Sequence, residues 1–191
     1  MADESHLDPS LIEFGDTRNV VDKYRNWSNE AIKADLARNS FPVHVAIENY
    51  QHDFNIGTIV RNANAFNAAG VHIVGKHKWN RRGAMVTDKY LQLYHHATIL
   101  EFAEWAKENG VVIIGIDNIS DSLELAKTMF PEKCVLVFGQ EGPGLSPEMQ
   151  AACERIVAIE QFGSTRSINV GVASGIALYA WMQQYVLKSK L

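Results

Sequence analysis

The sequence predicts an α/β domain in which helices flank a mostly parallel β-sheet. Short, continuous apolar runs alternate with segments of helical periodicity, as is typical of parallel strands buried on both faces. The length of 191 residues suits one globular domain with a small appendage. No apolar run is long enough to cross a bilayer, and the polar, acidic start MADESHLDPS lacks the pattern of a signal peptide.

Residues 1–40 predict a short N-terminal extension with one helix. The stretch SNEAIKADLARN is amphipathic and begins at Ser28, a good N-cap residue. Pro42 then marks a break in the pattern. We therefore divide the chain into the extension, 1–40, and a main domain, 41–191.

Strands and helices alternate in the first half of the main domain. VHVAI is a buried strand, GTIVRNANAFNAAG a helix that ends at Gly70, and VHIVG a second strand. A polar, basic loop, KHKWNRRGAMVT, follows, and DKYLQLYHHA predicts another helix.

The second half repeats this alternation. FAEWAKENG predicts a helix, and VVIIGID and KCVLVFG predict strands. SPEMQAAC begins a helix, with Ser146 as the cap and Pro147 in the first turn. RIVAI is the last strand, and residues 167–188 form the last helix.

The net charge limits how this protein could bind nucleic acid, and the cysteine content indicates its redox compartment. A formal net charge of −4 argues against nucleic-acid binding through an overall positive field, so any such binding needs a local basic patch. Cys134 and Cys153 lie far apart and lack metal-ligand spacing. Their apolar surroundings predict buried thiols in a reducing cytosol.

Three loops predict a ligand site at one edge of the sheet, because open parallel sheets bind ligands at the carboxyl ends of their strands. Polar residues and a helix with Arg61 follow the first strand, GQEGPGLS follows the strand ending at Phe138, and EQFGSTRSIN follows the last strand. None of these is a P-loop or a dinucleotide-binding glycine motif, and no metal-binding pair is present.

Taken singly, the polar residues of these loops have ordinary explanations. Arg61 suits a surface ion pair, Asn55 a turn or cap, and Glu141 a solvated loop carboxylate. Ser167 and Asn169 suit capping of the last helix. Only their combination favours a functional site.

That combination resembles the SpoU, or TrmH-like, RNA 2′-O-ribose methyltransferases of the SPOUT superfamily. The resemblance rests on three ordered motifs within residues 41–186: NIGTIVRNANAF, LVFGQEGPGLS and IEQFGSTRSINVGVASGIALYAW. It implies a C-terminal deep trefoil knot, a topology that ordinary chain rules do not predict. It also implies S-adenosylmethionine as the cofactor and a cytoplasmic homodimer built on the first and last helices.

The resemblance assigns cofactor binding to backbone groups of the knotted loops. The positions that match are Gly139, Ile159 and Ile168, with Ile116 as a fourth candidate. A methyl sulfonium needs no metal to be electrophilic, and we predict no metal site.

The resemblance also assigns catalytic roles. Arg61 matches the arginine proposed as a base or as a phosphate-assisted activator, and phosphate binding suits a guanidinium better. Asn55 and Asn169 would fix the arginine and the ribose. Glu141 would orient the second motif through Asn55 or Arg61, and Ser167 would complete the hydrogen bonds.

A basic loop beside this edge predicts an RNA-binding surface. Lysine and arginine would bind phosphates, and a tryptophan would stack on a base. The candidates are Lys76, Lys78, Trp79, Arg81, Arg82 and Arg166. A solvated basic loop is the alternative.

The sequence favours tRNA over rRNA as the substrate. STRSIN and ALYAW are similar to the third motif of small family members that act on the tRNA wobble position. The alternative function is a non-catalytic RNA-binding protein that retains the knot. Two further alternatives are a SPOUT base methyltransferase and a nucleotide-binding oxidoreductase on an ordinary doubly wound sheet.

Overall fold

Seven parallel strands form one sheet in the computed structural model, which describes residues 5–50 and 55–188. The strands are β1 (Phe41–Asn49), β2 (Ala68–Gly75), β3 (Leu93–His96), β4 (Val112–Ile116), β5 (Leu123–Glu124), β6 (Cys134–Phe138) and β7 (Arg155–Ala158). Their order is β3-β2-β1-β6-β4-β7-β5, and each neighbouring pair is parallel. The predicted α/β class with a parallel sheet is confirmed.

Helices cover both faces of this sheet. The α-helices of the described residues are α1 (Pro9–Phe14), α2 (Asn29–Arg38), α3 (Ile56–Ala65), α4 (Ile99–Asn109), α5 (Pro147–Ala152) and α6 (Val170–Met182), and the last four pack on the sheet. The apolar residues of α3 and α6 pack on one face, in a cluster with alternate residues of β1, β4 and β6. Those of α4 and α5 pack on the other face.

The alternation of side chains along β1 decides what each residue contacts. Val45 and Ile47 join the cluster of α3 and α6, whereas Ala46 joins that of α4 and α5. Because consecutive side chains of a strand point to opposite faces, Glu48 lies on the α4/α5 side and Asn49 on the α3/α6 side.

Two local predictions are wrong. The segment 88–97 was predicted as a helix, but it contains β3, which pairs with β2 and buries His96. The tertiary pairing overrides a helical pattern that was short and lacked a cap. The helix predicted to end at Gly70 ends at Ala65, and Asn67 adopts the left-handed conformation (φ 50°) that begins the turn into β2.

Most predicted helix ends are confirmed by cap geometry. The Ser28 side chain accepts a hydrogen bond from the Ala31 N–H, and the Ser146 side chain accepts one from the Met149 N–H. Gly110 ends α4 in the left-handed conformation with φ 62°. The last helix begins later than residue 167, because Asn169 is its cap, and a π-helical turn (Gln183–Leu187) follows it.

Residues 5–40 contain α1, a 3₁₀ turn (Asp22–Tyr24) and α2, so this extension has a helix that the sequence did not predict. The domain boundary at residue 40 and the trefoil knot both stay predictions. No helix in the described part of the chain has the length and apolar character needed to span a membrane.

Candidate active site

Three side chains from the three sequence motifs meet in one hydrogen-bonded cluster. The Asn55 amide Nδ2 donates to Glu141 Oε2 at 2.6 Å. The Asn169 Nδ2 donates to Asn55 Oδ1 at 2.8 Å and lies 3.5 Å from Glu141 Oε1. The predicted contact of Glu141 with Asn55 is therefore present, and residues separated by up to 114 positions share one site.

Helix ends position the two amides of this cluster. Asn55 is the N-cap residue of α3, yet its side chain makes no cap hydrogen bond with that helix. Asn169 is the N-cap residue of α6, and its Oδ1 accepts a hydrogen bond from the Val172 N–H at 3.2 Å. The capping bond fixes the Asn169 amide so that its Nδ2 points toward Asn55 and Glu141.

Glu141 lies in a tight loop, Gly139 to Leu145, that follows β6. The Gln140 N–H donates to the Gly144 carbonyl at 3.1 Å, and the Gly144 N–H donates back at 2.9 Å. A Cβ at Gly139 would lie 2.1 Å from the Gly144 carbonyl carbon, so only glycine permits this closure. Gly142 (φ 96°) faces open space.

Two carboxylates of the neighbouring strands hold this loop. Asp117, directly after β4, accepts a hydrogen bond from the Leu145 N–H at 2.8 Å. Glu48, which is fully buried, accepts hydrogen bonds from the Ser146 N–H at 2.8 Å and the Ser146 hydroxyl at 2.6 Å. Burial raises the pKa of Glu48, and the two hydrogen bonds from Ser146 partly oppose that rise.

The loop forms one wall of a cleft of about 240 Å³ at the carboxyl edge of the sheet. All four predicted cofactor residues, Ile116, Gly139, Ile159 and Ile168, line this cleft. The cleft is also lined by Glu141, Ser167 and Asn169. The geometry thus brings the four predicted cofactor positions together with Glu141, Ser167 and Asn169 but not with Arg61, and their individual roles stay predictions.

The lining of the cleft suits a cationic ligand. Among the described residues, its charged lining consists of Asp117 and Glu141, both carboxylates, and includes no lysine or arginine. Gln161 also lines the cleft, and its buried Oε1 has no hydrogen-bond partner within the described residues. A sulfonium cofactor that also carries amino groups fits this lining, whereas the phosphates of a dinucleotide do not.

Arg61 lies on the exposed side of α3 and does not join the cluster. Within residues 5–50 and 55–188 its guanidinium has no hydrogen bond or ion pair. The next residue, Asn62, fixes the helix beside it: its Nδ2 donates to the Gly171 carbonyl at 2.8 Å and the Ser174 hydroxyl at 2.9 Å. Arg61 is therefore held on a helix that packs firmly on α6, with its side chain exposed.

The predicted RNA-binding loop lies beside the same edge of the sheet. Lys76, Lys78 and Arg82 are exposed, as is Arg166 on the loop before α6. The loop is anchored by Asn49 at the end of β1, whose Nδ2 donates to the carbonyls of Lys76 at 2.6 Å and Lys78 at 3.0 Å.

Trp79 is less available for base stacking than the sequence suggests, and Arg81, although exposed, already has an ion-pair partner. The Trp79 ring is half-buried against the core, with the Arg81 guanidinium carbon 5.6 Å from its centre. Arg81 also pairs with Asp88 at 3.3 Å. Base stacking on Trp79 would require this arrangement to change.

From the sequence, no role was assigned to the residues that support the site from behind. Glu48 and Asn49 are among the polar residues that follow the predicted first strand, and Asp117 ends another predicted strand, but their contacts with the loop after β6 or the basic loop are not evident from sequence. Gln161 lies inside the third motif, but nothing in the sequence shows that its amide is buried. Across the described residues, no group of three or more His, Cys, Asp or Glu side chains is arranged to hold a metal ion.

The fold is similar to that of a known class of methyltransferase. The chain superposes with a TM-score of 0.68 on the SpoU methyltransferase AviRb from Streptomyces viridochromogenes, solved in complex with AdoMet. The two chains are 25% identical, and the match covers 75% of this chain and 57% of AviRb.

Residues 42–179 match the SpoU rRNA Methylase family, and this chain belongs to that family. It is 29% identical over 157 residues to the 23S rRNA (guanosine-2′-O-)-methyltransferase RlmB of Neisseria meningitidis serogroup B, covering 78% of this chain and 61% of RlmB. It is 25% identical over 152 residues to the tRNA (guanosine(18)-2′-O)-methyltransferase of Escherichia coli K12, covering 78% of this chain and 66% of that enzyme. The chain thus spans less than two thirds of the length of either relative.

Proposed function

We propose that this chain is an S-adenosylmethionine-dependent methyltransferase that acts on a ribose 2′-hydroxyl of RNA. The observation that carries the proposal is the Asn55–Glu141–Asn169 cluster at the mouth of a carboxylate-lined cleft. Membership of the SpoU rRNA Methylase family and the activities of the two relatives support the same chemistry.

The residues of the cleft would hold the cofactor by shape and charge. The loop from Gly139 to Gly144 and the backbone at Ile159 and Ile168 form its walls, and Asp117 and Glu141 supply negative charge. The Gln161 Oε1, which has no hydrogen-bond partner among the described residues, accepts a hydrogen bond from a donor on the ligand. When bound, S-adenosylmethionine supplies an electrophilic methyl group and leaves as a thioether.

The remaining work is to place the hydroxyl and its neighbouring phosphate, so that the hydroxyl oxygen attacks the methyl carbon while its proton passes to water. Asn169 and Asn55 hold fixed amide groups at the mouth of the cleft, where they orient the ribose. Arg61 binds the phosphate next to the reacting nucleotide, since guanidinium groups stay protonated and bind phosphate in a bidentate manner. Close approach and alignment then supply much of the rate enhancement.

We propose tRNA as the substrate, ahead of rRNA. The proposal rests on the third motif, in which STRSIN precedes α6 and ALYAW lies within it. Because the net charge is −4, contact with RNA depends on the local surface formed by the loop after β2 and by Arg166.

We further propose that the protein is a cytoplasmic homodimer. Val172, Ile176 and Tyr179 form an apolar stripe on α6, and they are 55%, 39% and 48% exposed. Their spacing of four and three residues places them on one side of the helix, where a second copy would cover them. The two cysteines are free thiols, as expected in a reducing compartment.

The test is nucleotide-resolution mapping of ribose 2′-O-methylation in tRNA and rRNA from cells with and without the gene. The purified protein and labelled S-adenosylmethionine are then added to RNA from the deletion strain. Loss of one mark that the protein restores supports the proposal, and the RNA that carries it identifies the substrate.

Three results would contradict the proposal. Methyl transfer to a base would indicate a base methyltransferase. RNA binding without transfer to either RNA fraction would indicate a non-catalytic RNA-binding protein. Tight binding of a nicotinamide cofactor, without binding of S-adenosylmethionine, would indicate an oxidoreductase.

A further inference from the structure

The last two residues of β1 each hold a different loop of the site. Both Glu48 and Asn49 are fully buried. Because they point to opposite faces of the sheet, Glu48 reaches the loop that lines the cleft, and Asn49 reaches the basic loop after β2. Neither residue belongs to the Asn55–Glu141–Asn169 cluster.

Glu48 fixes the end of the loop from Gly139 to Leu145, which we call the cleft loop. Its two carboxylate oxygens each accept one hydrogen bond from Ser146, from the N–H and from the hydroxyl. The same Ser146 hydroxyl accepts a hydrogen bond from Met149 and so caps α5. Burying a carboxylate is unfavourable unless its oxygens are well paired, so this arrangement depends on both bonds.

Asn49 fixes the start of the basic loop. Its Nδ2 donates to the Lys76 and Lys78 carbonyls, and its backbone carbonyl accepts a hydrogen bond from the Lys76 N–H at 2.8 Å. Removing the side-chain amide would leave both loop carbonyls without this donor. The positions of the exposed Lys76 and Lys78 side chains therefore depend on Asn49.

We propose that Glu48 and Asn49 are positioning residues with separate tasks. Glu48 sets the affinity for S-adenosylmethionine through the cleft loop, and Asn49 sets the affinity for RNA through the basic loop. The inference rests on the proposed function, because that function identifies the two ligands. It adds that a single dipeptide of β1 holds both binding loops in place.

The experiment measures two affinities for each variant. Calorimetry gives the dissociation constant for S-adenosylmethionine, and filter binding gives the dissociation constant for bulk tRNA. Glu48→Gln is expected to weaken cofactor binding about tenfold, because it replaces a charged acceptor of two hydrogen bonds, and to leave tRNA binding within about twofold. Asn49→Ala is expected to weaken tRNA binding about tenfold and to leave cofactor binding within about twofold.

Two matched controls and a second variant make the test specific. Asn39→Ala removes an asparagine whose Nδ2 donates to the Asp35 carbonyl, and Glu101→Gln alters a glutamate that accepts from the Ala97 N–H. Both lie outside the cleft and the basic loop, so neither affinity should change. Ser146→Ala removes one of the bonds to Glu48 from the loop side and should weaken cofactor binding alone.

Two results would overturn the inference. In the first, Glu48→Gln and Asn49→Ala each weaken the binding of both S-adenosylmethionine and tRNA, in parallel with a lowered melting temperature. In the second, both variants keep both affinities. These binding measurements do not require turnover. Methyl transfer by the wild-type protein is measured separately, so a failure of the proposed function is distinguishable from a failure of this inference.

Discussion

A chain of three buried histidines predicts a loss of stability in mild acid. His44, His72 and His96 lie on the adjacent strands β1, β2 and β3. The His44 Nδ1 lies 3.1 Å from His72 Nε2, and the His72 Nδ1 lies 2.9 Å from His96 Nε2. His72 is fully buried, stacks on Tyr94 with the ring centres 4.6 Å apart, and also contacts Trp105. We call these three residues the histidine ladder.

Burial favours the neutral form of each ring in the ladder. It lowers the pKa of His44 to about 4 and that of His72 to about 2, and it also lowers the pKa of His96. The unfolded chain binds protons on these rings with a pKa of about 6.5, so below that pH it binds more protons than the folded chain does. The contribution of the ladder to the stability of the folded chain is therefore complete above a pH of about 6.5 and is lost as the pH falls below it.

The size of the loss follows from these values. At pH 5 the solution lies about 1.5 units below the unfolded pKa, and each unit corresponds to about 1.4 kcal/mol. The contribution of His44 to the free energy of unfolding therefore falls by about 2 kcal/mol between pH 7.5 and pH 5, and that of His72 falls by a similar amount.

Other titrating groups must be separated from this effect. Glu48 acts in the opposite direction, because its raised pKa stabilises the folded state as the pH falls. The pKa of Asp16 is lowered, mainly by its hydrogen bond with Arg18, and affects stability only at more acidic pH. The ionisable neighbours that act on the ladder are Lys133 beside His44, and Glu101 and His95 beside His96.

The assay is urea unfolding at pH 7.5 and pH 5 for the wild type and for His72→Phe, which keeps a ring against Tyr94 and Trp105. The variant should be less stable at pH 7.5, because two neighbouring ring nitrogens lose their partner. Its stability should nevertheless change by about 2 kcal/mol less between the two pH values, and the Glu48 contribution cancels in the comparison. An equal change in both proteins would refute a neutral ladder, and His77→Gln, at an exposed position outside the ladder, serves as the control.

Three further predictions concern the site and the assembly. Arg61→Ala should reduce single-turnover methyl transfer about a hundredfold while calorimetry shows unchanged cofactor affinity, and normal turnover would remove the catalytic assignment. Gly139→Ala should weaken cofactor binding at least about tenfold, because its Cβ would lie 2.1 Å from the Gly144 carbonyl carbon, whereas Gly163→Ala, whose Cβ meets nothing within 4 Å, should bind normally. Ile176→Glu should convert a dimer to a monomer in light scattering, and Leu100→Glu on α4, where Leu100 is 67% exposed, should not; a dimer that survives Ile176→Glu would exclude the α6 interface.

The sequence predicted the strands of the sheet better than the connections between them. Buried parallel strands such as β1 and β6 are continuous apolar runs, and that signal is local. The strand β3 was mistaken for a helix because its extended conformation depends on pairing with β2, which only the folded chain provides. The cap of α6 was predicted to lie within Ser167–Asn169, and only geometry selects Asn169.

The candidate site was predicted from the resemblance of three motifs to a known family, and the chemistry of the single residues did not predict it. Asn55, Glu141 and Asn169 each have an ordinary local explanation, and their contact became evident only when the loops were brought together. The supporting residues Glu48 and Asn49 look like the polar end of an apolar strand. Their significance depends on hydrogen bonds with distant parts of the chain. Glu48 bonds to Ser146, 98 positions away, and Asn49 bonds to Lys76 and Lys78, 27 and 29 positions away. No local sequence pattern reveals these contacts.

The span of the Asn55–Glu141–Asn169 cluster has a consequence for biosynthesis. A growing chain adds about 5–20 residues per second, so several seconds separate the synthesis of Asn55 from that of Asn169. During this interval α3 and the strands β1 and β2 are available to fold, but the cluster lacks its last member. A nascent chain that has not yet reached residue 169 therefore presents the basic loop without a complete cluster, and the cluster is completed in one step once Asn169 has been synthesised.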